Sequence, residues 1–147
     1  MPITKVINTV GYNMFTSVSS RAASAYQRVN VETAVSQADP HQLVNMLFEG
    51  LLSNVGGARA AMARGDIATK GMLINKAVRI IDEALKPALN LEQGGDIAAN
   101  LNGLYGYCSL RLTEANLRND DAALADVLRV IEPLADGWKQ MGSQRAS

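Results

Sequence analysis

The chain has 147 residues, with 14 Lys plus Arg against 14 Asp plus Glu and 48% apolar residues. That length makes one domain able to remove about two-thirds of its unfolded surface from water without disulfides or structural metal, and zero net charge supplies no long-range attraction for nucleic acid or an anionic membrane. A single His (His41) and a single Cys (Cys108) exclude a four-ligand zinc site and a disulfide framework, which fits a reducing compartment.

Residues 1–38 read as a tail, flexible or short-helical, rich in Ser, Thr, Asn and Val. Within it Ile3, Ile7, Val10, Met14 and Val18 recur at spacings of three and four, one apolar stripe on a short helix that Gly11 and the β-branched residues weaken. Such a stripe can dock reversibly on an apolar surface. Residues 5–25, ending in Ala23-Ser24-Ala25, imitate an export signal, but Asn8, Thr9, Asn13, Thr16 and Ser17 interrupt the apolar stretch. No apolar run reaches the ~20 residues of a membrane span. A cytoplasmic protein without membrane insertion is expected.

Asp39 followed by Pro40 signals a helix start, an N-cap acceptor ahead of a residue pre-set for the first turn. The helix should run to about Ala63 and stop at Gly65. Leu43, Val44, Met46, Leu47, Phe48, Leu51, Leu52 and Val55 cover most of its circumference, more than one-sided packing needs. Gly50, Gly56 and Gly57, each about 1 kcal/mol worse than Ala in a helix, point to close helix approach. A second helix, from about Asp66 to Leu91, is amphipathic, with Asp82 and Lys86 as an i,i+4 ion pair and Pro87 kinking its last turns. Gly94-Gly95 breaks the chain before a third helix from about Asp96 to Arg118.

The main face of that third helix is Ile97, Leu101, Leu104, Tyr105, Cys108, Leu112 and Ala115. A second stripe, Ala99, Gly103, Tyr107, Leu110 and Leu117, points elsewhere and exceeds what a bundle must fill. Asn119 stops the helix and Asp120 caps the last one, which should end near Met141, with Pro133 and Gly137 on its polar side. Four helices on short connections give an all-α, antiparallel up-down four-helix bundle over 39–141, followed by a disordered C-terminus over 142–147.

The residues offer little catalytic chemistry. No Glu-x-x-His motif supports a di-iron centre. His41 reads as a solvated histidine near a helix start, Cys108 as a buried structural thiol, and Gly94-Gly95-Asp96 as a helix stop and start rather than a phosphate cradle. No enzyme activity, cofactor or metal is expected. A histidine-phosphotransfer bundle is an alternative, although Gln42-Leu43-Val44-Asn45 follow His41 where a Lys and a Gly are usual. A self-associating structural helical subunit is another.

The ordered set Ala25-Tyr26, Val31-Glu32-Thr33-Ala34, Asp39-Pro40-His41-Gln42-Leu43, Met46-Leu47-Phe48-Glu49-Gly50, Asn100-Leu101, Leu104-Tyr105 with Tyr107, and Ala115-Asn116-Leu117-Arg118-Asn119-Asp120 resembles the flagellar secretion chaperones of the FliS family. The resemblance spans residues 25 to 140. It implies a helical bundle that binds the C-terminal segment of flagellin in apolar grooves, prevents premature polymerisation and delivers it to the flagellar type III export apparatus. An export-gate component or an anti-sigma factor is a further implied partner, with homo-oligomerisation as an alternative when no client is bound. The expected partner-binding residues are Tyr26, Val29, Val31, Leu101, Leu104, Tyr105, Tyr107, Leu110 and Leu117. Leu110 departs from the Arg often found there, making this surface more apolar, and the segment ahead of Tyr26 is longer than the resemblance leads one to expect.

Overall fold

The structure, a computed structural model, describes residues 39–146, with side chains as far as Gly142. Tyr26, Val29, Val31 and the apolar stripe of the tail lie outside the described residues. Helix α1 is Pro40–Ala63. Its start is a capping box: Asp39 Oδ1 accepts from the Gln42 N–H at 2.7 Å, and Gln42 Oε1 accepts from the Asp39 N–H at 3.2 Å. Gly65 then turns the chain at φ +75°, and Asp66 caps α2, Ile67–Arg79, by accepting from the Thr69 N–H.

The second arm does not stay α-helical. A π-helical turn, Ile80–Leu85, follows α2 and leads into a short α3, Lys86–Ala88; the Lys86 N–H bonds the Ile81 carbonyl five residues back. Pro87 explains the placement, because it lacks an N–H and its ring would strike the carbonyl four residues earlier, a clash that a wider turn relieves. The expected pair of Asp82 with Lys86 does not form across this turn. Asp82 Oδ2 accepts instead from Ser109 Oγ at 3.2 Å, and Lys86 Nζ lies beside Gly106.

The arm also ends earlier than the periodicity implies. Leu89 is extended, and Asn90 caps α4, Leu91–Arg118, by accepting from the Gln93 N–H. The Gly-Gly break persists inside α4, where Gly95 takes φ +58° and ψ −138°. Asn119, at φ +55°, ends α4 in the left-handed cap. Asp120 accepts from the Ala122 N–H at the start of α5, Asp121–Ala146. This last helix continues beyond the expected end at Met141 into the segment expected to be disordered. Gly142 lies against the His41 ring, so tightly that a Cβ there would overlap the imidazole.

Cross-helix contacts set the topology. Gly50 meets Ile80 and Gly57 meets Leu73, so α1 and the second arm are antiparallel. Gly71 meets Asn116 and Asp82 meets Ser109, which makes the second arm antiparallel to α4. Arg59 pairs with Asp121, and His41 with Trp138, which makes α1 antiparallel to α5. The result is the up-down four-helix bundle, in which α1 and α4 each pack between the second arm and α5. Having neighbours on two sides, α1 sinks its broad apolar face into the core: Leu43, Val44, Leu47, Phe48, Leu51 and Val55 are buried and Met46 and Leu52 partly so. Of the three α1 glycines only Gly57 is tightly approached, since a Cβ there would lie 2.9 Å from Leu73 Cδ1, the end of a side chain that can shift.

Candidate functional site

With α1 absorbed by the core, the excess apolar surface is concentrated on α4. Its inward residues Tyr105, Cys108, Leu112 and Ala115 are buried, while the second stripe faces out: Tyr107 is 43% exposed, Leu110 59% and Leu117 81%. Leu104, at 38%, borders the same face, and Leu101 is partly buried against the core. Ala99 and Gly103 are exposed on the same side. The expected binding residues therefore separate. Leu104, Tyr107, Leu110 and Leu117 form one surface along three and a half turns, and Leu101 lies at its inner edge. Tyr105 is 1% exposed and belongs to the core; a 100° step from Leu104 turns it inward. Ile67, Met72 and Leu91 are further exposed apolar side chains.

One carboxylate from α5 organises the polar margin of this face. Asp126 Oδ2 accepts from Tyr107 Oη at 2.8 Å and from Arg111 Nε at 3.1 Å, while Oδ1 accepts from Arg129. Arg111 also reaches Glu114 at 3.5 Å. The bonds from Arg129 and then Tyr107 hold the Asp126 carboxyl below the usual carboxylate range, and the same bond raises the Tyr107 phenol above its ordinary value. Asp126, Arg111 and Arg129 are not legible in the periodicity of α4, because Tyr107 and Arg111 reach a carboxylate on α5, where Arg129 stands three residues further on. The available signal is chemical: a tyrosine in an otherwise apolar exposed stripe needs an acceptor nearby.

One other residue departs from its sequence reading, and one had none. His41 is not a solvated histidine. Its ring stacks on Trp138 with centroids 4.6 Å apart and planes 7° from parallel, and its Nε2 donates to the Trp138 carbonyl. Lys70 is buried at the end of α4, where Nζ donates to the Asn116 carbonyl and to Asn119 Oδ1, both at 3.1 Å. A cation there also complements the negative end of the helix dipole. Burial pushes the Cys108 thiol up to about 11. Among the described residues no three His, Cys, Asp or Glu side chains are grouped to hold a metal ion, and no helix is long and apolar enough to cross a membrane.

The flagellar protein FliS family matches residues 22–145. The chain belongs to that family. It is 47% identical to the flagellar secretion chaperone FliS of Salmonella typhimurium, over 84% of this chain and 90% of that protein. It is 43% identical to the flagellar secretion chaperone FliSB of Pseudomonas aeruginosa, over 80% and 93%, and 32% identical to the FliS chaperone of Bacillus subtilis, over 80% and 83%. Membership supports the role of a flagellar export chaperone with a flagellar client protein. The apolar stripe from Ile3 to Val18 falls ahead of the matched residues.

Proposed function

We propose that the chain binds the C-terminal segment of flagellin in the cytoplasm, keeps it from polymerising and hands it to the type III export apparatus, without catalysing a reaction. The exposed row of Leu104, Tyr107, Leu110 and Leu117 on α4 carries this reading. Four large apolar side chains held in water along one helix face form a seat for the apolar side of an amphipathic helix. Burying about 1,000 Å² of apolar surface there would release on the order of 25 kcal/mol gross, most of it offset by ordering a flexible client. A bind-and-release chaperone needs such a near balance.

Tyr26, Val29 and Val31 belong to the proposal as contacts from the N-terminal segment, and Leu101 as a contact from the inner edge. An export-gate component or an anti-sigma factor is proposed as a further partner. Calorimetric titration of the full chain with the C-terminal peptide of the flagellin from the same genome tests the reading. Micromolar or tighter binding is expected, and its absence sinks the proposal.

A further inference from the structure

We infer that Asp126 is a positioning residue for client recognition, acting through Tyr107: its carboxylate is the acceptor that lets the Tyr107 hydroxyl go under a client without losing a hydrogen bond. This rests on the reading of the α4 face as the client surface.

A tyrosine at a docking surface offers a large apolar ring together with a hydroxyl that water serves while the surface is open. A client that covers the ring removes that water, and an unmade bond at a buried donor costs more than an ordinary bond contributes. Leu104 and Leu110 lie one turn to either side of Tyr107, so a helix laid over both must cover Tyr107 as well. The Tyr107 hydroxyl donates to Asp126 Oδ2 at 2.8 Å, from α4 to α5, a partner supplied by the chain itself.

Covering a lone carboxylate would itself be unfavourable. Asp126 avoids this because Arg111 shares Oδ2 and Arg129 donates to Oδ1. Glu114 pairs with Arg111 on its other side, so Arg111, Arg129, Asp126 and Glu114 carry no net charge together. The same bond fixes the ring before binding, which reduces the entropy lost when a client orders it.

The test is a set of titrations with the flagellin C-terminal peptide, using the full chain as wild type, Asp126→Ala, Tyr107→Phe, the double variant and Asp126→Asn, with circular dichroism on each. Asp126→Ala should weaken binding about tenfold or more, because it strands the hydroxyl. Tyr107→Phe, which needs no acceptor, should stay within about threefold of wild type. The double variant should bind more tightly than Asp126→Ala alone, a rescue that a purely structural role for Asp126 would not produce. A double variant no tighter than Asp126→Ala overturns the inference, as does wild-type affinity in Asp126→Ala. If Asp126→Ala fails to fold, Asp126→Asn decides: it keeps an acceptor and should retain near-wild-type affinity, and a tenfold loss overturns the inference. A wild-type chain that does not bind removes the client reading and this inference together, whereas wild-type binding without rescue removes this inference alone.

Discussion

His41 and Trp138, 97 residues apart, close the bundle reciprocally: the His41 Nε2 donates to the Trp138 carbonyl at 2.7 Å, and the Trp138 indole N–H donates to the His41 carbonyl at 2.9 Å. With the rings stacked, the first turn of α1 is fastened to the last third of α5 by two hydrogen bonds and an aromatic contact. At the other end of the same helix pair Arg59 grips Asp121 through two bonds of 2.8 and 2.9 Å.

Removing the indole should therefore be costly. Trp138→Ala is expected to lose about 3 kcal/mol, and Trp138→Phe about 1 kcal/mol, since it keeps an apolar ring and gives up the N–H bond. Urea unfolding followed by circular dichroism measures both. Equal losses in the two variants would show that the hydrogen bond rather than the ring provides the stability.

Lys70→Met should destabilise the chain by about 2 kcal/mol, because the Asn116 carbonyl and the Asn119 side chain lose a charged donor at a buried position. The effect should appear as earlier hydrogen exchange at the end of α4. A variant as stable as the wild type would contradict the role of Lys70 as the cap of that helix.

Two positions on α4 should respond in different ways to the same substitution. Leu110→Asp is expected to weaken flagellin-peptide binding tenfold or more with helical content unchanged, since its side chain stands in water. Tyr105→Asp, five residues earlier, should unfold the bundle by placing a charge in the core. Circular dichroism beside calorimetry separates the outcomes. A folded Tyr105→Asp chain would place that side chain outside the core after all.

Stability should fall at both extremes of pH. Asp126, bonded by Arg129 and Tyr107, Asp121, bonded by Arg59, and Asp66, bonded by Thr69, all ionise below their ordinary values. Their contribution is complete above the unfolded carboxylate value of about 3.9 and is lost as pH falls through the folded values. Salt should shrink this acid-side loss, because these carboxylates are solvent-exposed. Cys108 has the opposite sign. With its thiol pushed up to about 11, its contribution is complete below about 8.5, the unfolded value, and disappears as pH rises from there. Melting temperatures from pH 3 to 10 should trace both limbs, and Cys108 should resist alkylation until the chain unfolds. A melting temperature that rises below pH 4 would contradict the carboxylate assignments.

Local signals carried much of the fold. The start of α1 was readable because Asp39, Pro40 and Gln42 act on one another within a single turn, and the outward stripe of α4 because Tyr107, Leu110 and Leu117 share a period distinct from that of Cys108 and Leu112. The stack of His41 on Trp138 was not readable, since nothing near either residue announces a partner 97 positions away. The Asp126 cluster was hidden for the same reason. Tyr105 lies where its period puts it, on the inward face with Cys108 and Leu112; its place among the binding residues rested on the resemblance alone. The turn at Leu89 and Asn90 was missed because the Gly-Gly pair downstream is the louder punctuation.

The π-helical turn Ile80–Leu85 has a consequence for how the chain tolerates change. Such a turn holds one residue more than the α turn it replaces and absorbs it locally, so Ile74 and Ala77 ahead of it and Leu85 and Ala88 at its end and beyond all reach the core. Deleting a single residue between 80 and 85 would give a regular helix with the flanking stretches still in register, at the cost of bringing the Pro87 ring against the carbonyl four residues earlier. Deleting a residue from the regular turns of α2 has no such outlet and would rotate one side of the deletion by about 100° against the other, swinging Ile74 out of the core or Lys70 away from the end of α4. A change of length should therefore be far less damaging at 80–85 than in the turns before it.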